Sequence, residues 1–233
     1  MRSISVAIVG LPHLPVLSPV STVAMTITEP TTMLTDYVLA GIAFILAGFL
    51  ARVGWRSQQR SVCFWAAAFL FVAIAAALGG SCHGLVVELG ASLSMVLWQL
   101  MLYAVSLASL FMLVGTVWSR VSQRKQRWFL LAAIVKLAIT WLHLLHQPHF
   151  TVVAVDYLIS MLLVLALQVY GLASSPRSAS WLTAGILVSG LAMAVLVSGA
   201  TLFQVLNHND LYHLIQLVGL GILFQGAKRL KDQ

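Results

Sequence analysis

Seven stretches of this chain are long enough and apolar enough to cross a lipid bilayer, and that constrains everything else about it. A helix needs about 20 mostly apolar residues to span a hydrocarbon core about 30 Å thick. The candidates run over residues 35–53, 62–83, 92–118, 128–147, 152–172, 181–206 and 211–227. Of the 233 residues, 61% are hydrophobic and 8% charged, whereas soluble domains carry about 25% charged residues. A chain of this size cannot hide so much apolar surface from water. Soluble globular, disordered and disulfide-scaffold proteins are therefore excluded, and the sequence predicts an all-α polytopic membrane bundle of seven transmembrane helices.

The breaks between spans have physical causes. Arg56 and Arg60 end the first span, and Arg120, Arg124, Lys125 and Arg127 separate the third from the fourth. Pro148 stops the fourth, Pro176 marks a turn before the sixth, and Asn207 to Asp210 form a polar start to the seventh. All but two of the 13 basic residues then fall in loops or a tail on one side, the exceptions being Arg2 and Lys136. The excess of Lys and Arg marks the cytoplasmic face, so the amino terminus is expected outside and the carboxyl tail inside, in the plasma (inner) membrane. The net charge of +7 is thereby explained by topology, with lipid rather than nucleic acid as the partner.

Residues 1–33 fit less well. Arg2, a short apolar run and Ser21-Thr22-Val23-Ala24 resemble a signal peptide, but Pro12, Pro15 and Pro19 interrupt the run; a start at Met25 is the alternative. The expected division is a leader over 1–33, a seven-helix domain over 34–228 and a basic tail over 229–233. Cys63 and Cys82 lie inside apolar runs and read as small packing residues.

The polar groups are segregated. His83, His143, His146, His149, His208 and His213 all fall at the outer ends of spans, and Glu29, Asp36, Glu88, Asp156 and Asp210 lie on or near the same face. Ionisable groups within spans are costly and usually face a functional interior. Any one of these histidines alone reads as an interface residue. Asp210 and His213 are three apart and Asn209 and His213 four apart, so each pair shares a helix face. Asn209 and Asp210 are also good helix caps, which alone would account for them. Asp156, about one and a half turns into its span, needs a partner, and His143 and His146 are the expected ones. Lys136 reads as a lysine that packs or snorkels to the cytoplasm.

Seven spans, Ser81 and His83 at the end of the second, and the polar stretch from Asn207 to His213 opening the seventh resemble the seven-helix hydrolase superfamily of alkaline ceramidases and progestin/adiponectin-receptor proteins. The resemblance implies a zinc ion held by His83 and His213. The superfamily's other positions differ here: Asn209 replaces the first histidine of the last pair, Gly79 the serine and Ser94 the aspartate. On this resemblance His208 or Asp210 is the expected third ligand, with Ser81 or Asp156 binding the water or oxyanion. The expected function is a zinc-dependent membrane hydrolase of a lipid-like amide or ester. The alternative is a non-enzymatic transporter, sensor or assembly partner that binds protons or ions through the same cluster; a b-type haem protein is a third reading.

Overall fold

A computed structural model describes residues 26–202 and 206–233. They form six helices: α1 (Pro30–Ser57), α2 (Arg60–Arg120), α3 (Gln123–His146), α4 (Phe150–Tyr170), α5 (Pro176–Ser198) and α6 (His208–Ala227). The predicted leader lies mainly outside the described residues, and the expected domain boundary at residue 34 falls inside α1. Five of the helices, α1 to α5, are long and apolar enough to cross a membrane. The described residues are thus all-helical, with apolar helices suited to lipid contact. Phe44, Ile45, Phe49, Leu131, Ile134, Leu158 and Leu187 all lie exposed on the surface, which suits hydrocarbon and not water.

The second and third expected spans both lie in α2, which has 61 residues. As a straight rod it would put Phe64 and Trp118 about 80 Å apart at 1.5 Å per residue. Their ring centroids are instead 6.5 Å apart, and Arg60 sits 4.9 Å over the Trp118 ring. The helix folds back on itself at Gly90, whose φ of 71° and ψ of 167° lie in a region open almost only to glycine. Cys82 Sγ consequently approaches the carbonyl of Ser94 at 3.8 Å. The two arms of α2, 60–89 and 91–120, form an antiparallel hairpin.

Other boundaries follow local chemistry. Pro176 is the first residue of α5, where its missing N–H costs nothing. The expected sixth span runs too far, because α5 stops at Ser198 and Gly199 takes a left-handed conformation with φ 66°. Close packing uses small residues, as in other membrane bundles. Gly80 and Gly84 on α2 let Met33 and Asp36 of α1 lie directly on the backbone. Gly185 on α5 and Gly226 on α6 do the same for Leu223 and Leu182. The buried core gathers Trp65, Phe69, Leu50, Val164, Leu182 and Leu220 from five of the helices.

The bundle therefore has two unlike ends. One carries Glu29, Asp36, His83 and His213, joined by short contacts. At the other the tail closes on α2: Asp232 accepts hydrogen bonds from the backbone amides of Arg60 (2.8 Å) and Ser61 (2.9 Å), and Gln233 donates to the carbonyl of Trp118 at 3.1 Å.

Candidate functional site

The site forms where the first turns of α1 and α6 meet the middle of α2. Asn207 caps α6, its side chain accepting from the amides of Asn209 and Asp210 at 2.8 and 3.0 Å. Asp210 completes the reciprocal cap, with Oδ2 accepting from the Asn207 amide at 3.0 Å. Its Oδ1 accepts from the Thr32 hydroxyl of α1 at 2.9 Å. Thr32 in turn accepts from the Asn207 side chain at 3.1 Å. Asp210, 1% exposed, has both oxygens occupied by this structural work. The expected cap positions Asn209 and Asp210 are corrected by one turn's detail: the cap residue is Asn207 and Asp210 is its partner inside the helix.

One turn on, His213 is 7% exposed and has a partner on each ring nitrogen. Nδ1 lies 3.0 Å from the Thr35 hydroxyl, and Nε2 lies 3.1 Å from Asp36 Oδ1. Asp36 is itself 4% exposed, and its Oδ2 is buried with no hydrogen-bond partner among the described residues. It lies against Gly79, where a Cβ would stand 3.5 Å from either carboxylate oxygen. His83, one turn beyond Gly79, shares that face of α2; its Nδ1 pairs with Glu29 at 3.2 Å.

The Thr35 hydroxyl has one hydrogen and two possible acceptors. It lies 3.0 Å from the Thr32 carbonyl, which can only accept. While it donates there, His213 Nδ1 must carry a proton and donate to Thr35, and one more proton then sits between Nε2 and Asp36. If the hydroxyl turns to donate to Nδ1, Nε2–H donates to an ionised Asp36. A hydroxyl serves either role by rotating. The pair thus holds one proton more or one fewer without losing either of the imidazole's hydrogen bonds.

A second polar group lies away from this site. The Asp156 carboxylate accepts from Lys136 Nζ, and the Thr140 hydroxyl reaches the same oxygen at 2.8 Å. Lys136 also donates to Ser109 at 3.1 Å, and Ser109 to Ser160 at 2.8 Å. Two expectations are corrected here. Lys136 does not snorkel, and the partner of Asp156 is Lys136, not His143 or His146, both of which are exposed. A buried carboxylate needs a full counter-charge, and the long lysine stem delivers one across from α3 while the interface histidines stay at the surface.

The remaining predicted residues separate. Ser81 donates to the Ala77 carbonyl at 2.9 Å and pairs with the Tyr37 hydroxyl at 3.0 Å. His208 opens α6 half-buried, without a hydrogen-bond partner among the described residues. No three His, Cys, Asp or Glu side chains among the described residues are grouped so as to hold a metal ion. Within the expected set His83, His208, Asp210 and His213, Asp210 is taken up by the Asn207 amide on one oxygen and the Thr32 hydroxyl on the other. Sequence reasoning missed Thr32 and Thr35, and named Asp36 only as one of the acids on that face. Their signal was the polar stripe Thr32, Thr35, Asp36 on one face at the start of an apolar helix.

Residues 31–232 match the model of a family described as a family of unknown function (DUF6962). No curated protein matches the chain.

Proposed function

The chain belongs to the DUF6962 family, and we propose that it is a non-enzymatic membrane protein whose Asp36–His213 pair binds and releases a proton at the outer face. The observation that carries this is the double hydrogen bonding of His213, with Thr35 Oγ1 on one side and Asp36 Oδ1 on the other. The imidazole keeps both of its hydrogen bonds at either proton occupancy, because the Thr35 hydroxyl can donate or accept. Such a pair suits a proton-coupled transporter or an acid sensor. In this proposal the six helices cross the bilayer seven times, each arm of α2 once. The basic end is cytoplasmic, as the distribution of Arg and Lys implies, and the plasma membrane is the proposed location.

The unpartnered Asp36 Oδ2 favours a second reading, the zinc-dependent hydrolysis of a lipid-like amide or ester that the family resemblance implies. Asp36 and His213 would supply two ligands and His83 the third, after a local shift that brings the three together. A bound zinc would supply an activated water; Glu29 on His83 and Thr35 on His213 would orient the two rings.

Elemental analysis of the purified full chain separates the two. The proton reading expects zinc well below one per chain and the same content in His213→Ala. About one zinc per chain, lost in Asp36→Ala and His213→Ala, would contradict it and establish the hydrolase reading's premise.

A further inference from the structure

At the opposite end of the bundle Arg120 closes α2 in an unusual setting. Its Nε donates to Gln168 Oε1 of α4 at 2.9 Å, and its Nη2 donates to the Ser178 hydroxyl of α5 at 2.8 Å. Both partners are neutral, and no carboxylate among the described residues is within ion-pair distance. Guanidinium has five N–H groups, so three are without an acceptor among the described residues. Gly171 lies over the group, where a Cβ would come within 2.8 Å of Nε, so the chain is shaped to seat this side chain.

Two further sets of donors lie near it. Gln168 is fully buried, and its Nε2 has no acceptor among the described residues although Oε1 of the same amide receives Arg120. An unpaired buried donor costs on the order of 1–3 kcal/mol, and a donor beside a cation calls for a negative oxygen. The α5 N-terminus, beginning with Pro176 and Arg177, has no side-chain cap, which leaves its first amides and the positive end of the helix dipole unanswered. Arg177 and Trp181 line an open cleft next to it with Pro176 and Ser180. A guanidinium, an orphaned amide, an uncapped helix start and a second arginine make a place for an oxyanion.

We propose that the ends of α2, α4 and α5 form a binding site for a phosphate-class oxyanion, with Arg120 as its central donor and Gln168, Arg177 and the α5 amides around it. The chemistry is that of a phosphodiester or phosphomonoester with net negative charge and no cation of its own, carried by an anionic lipid headgroup or free in solution, so that zwitterionic phosphatidylcholine is the reference. Trp181, an amphipathic ring of the kind that sits at headgroup level, is placed to flank it.

The test is thermal unfolding of the full chain in nanodiscs at matched ionic strength. Three conditions are compared: phosphatidylcholine alone, phosphatidylcholine with inorganic phosphate in place of chloride, and phosphatidylcholine with phosphatidylglycerol. The wild type is expected to gain about 5 °C in at least one of the last two, the shift a well-saturated ligand gives a chain of this size. A gain with phosphatidylglycerol alone identifies a lipid headgroup, and one with phosphate a free anion. Arg120→Gln should lose the gain. Gln168→Glu places a carboxylate on the guanidinium, and should raise the phosphatidylcholine baseline while abolishing the gain; it carries the test if Arg120→Gln does not fold. Equal wild-type midpoints in all three conditions, or a full gain retained by Gln168→Glu, would overturn the proposal.

Discussion

At the residue scale the one lysine inside a span meets a carboxylate. The ion pair of Lys136 and Asp156, 15% and 1% exposed, lies inside the bundle, where an unpaired charge is expensive. Breaking one half of such a pair costs about 3–5 kcal/mol, whereas replacing both by apolar groups is often neutral. Lys136→Met should therefore destabilise the protein sharply, and Asp156→Leu in the same chain should restore most of the loss. Chemical denaturation of Lys136→Met, of Asp156→Leu and of the double variant in detergent checks this, and additive losses would show that the two residues are not energetically paired. Residue types alone placed the acids and histidines at one end, yet not their partners. Asp36 was visible as an outer carboxylate, but only the approach of α6 to α1, with Asp36 and His213 177 positions apart in sequence, makes it part of a site. Lys136 misled for a related reason. Snorkelling and pairing begin from the same lysine in the same span, and the choice depends on which helix packs beside it.

At the scale of elements, hydropathy was legible where a span is bounded by charge or proline. The start of α5 at Pro176 and the gap between α2 and α3 after Arg120 both follow the sequence. The reversal at Gly90 was legible only as a gap between two apolar runs, since neither proline nor a charged cluster marks it. Its left-handed backbone is the whole device: a Cβ at Gly90 would meet nothing within 4 Å, so the cost of replacing it is conformational and not steric. Gly90→Ala is expected to cost about 1–3 kcal/mol while leaving the packing of Phe64 on Phe111 and Trp118 in place. A denaturation midpoint unchanged by that substitution would mean that the turn tolerates another backbone. The end of α5 was misjudged because the apolar run continues past Gly199, and periodicity cannot register a glycine cap within it.

At the scale of the whole molecule, the two ends differ in chemistry more than in shape. Carboxylates and imidazoles are gathered at one end, while arginines and a tail pinned by Asp232 occupy the other. The positive-inside reading makes a direct prediction. A reporter fused after Lys231 should be active only in its cytoplasmic form, and one inserted at the α3–α4 junction, between His146 and Phe150, only in its external form. The reverse pattern would invert the bundle and move the Asp36–His213 site to the cytoplasmic face.

The central claim is that Asp36 and His213 share an exchangeable proton, and pH-difference infrared spectroscopy of the full chain in lipid tests it most directly. Spectra taken across about pH 5 to 8, the range in which histidine commonly changes charge, should show carboxyl and imidazole bands changing together. The components due to this pair, isolated by subtracting the variant spectra from the wild type, should be lost together in Asp36→Asn and in His213→Gln. A difference spectrum identical in wild type and both variants would contradict the account.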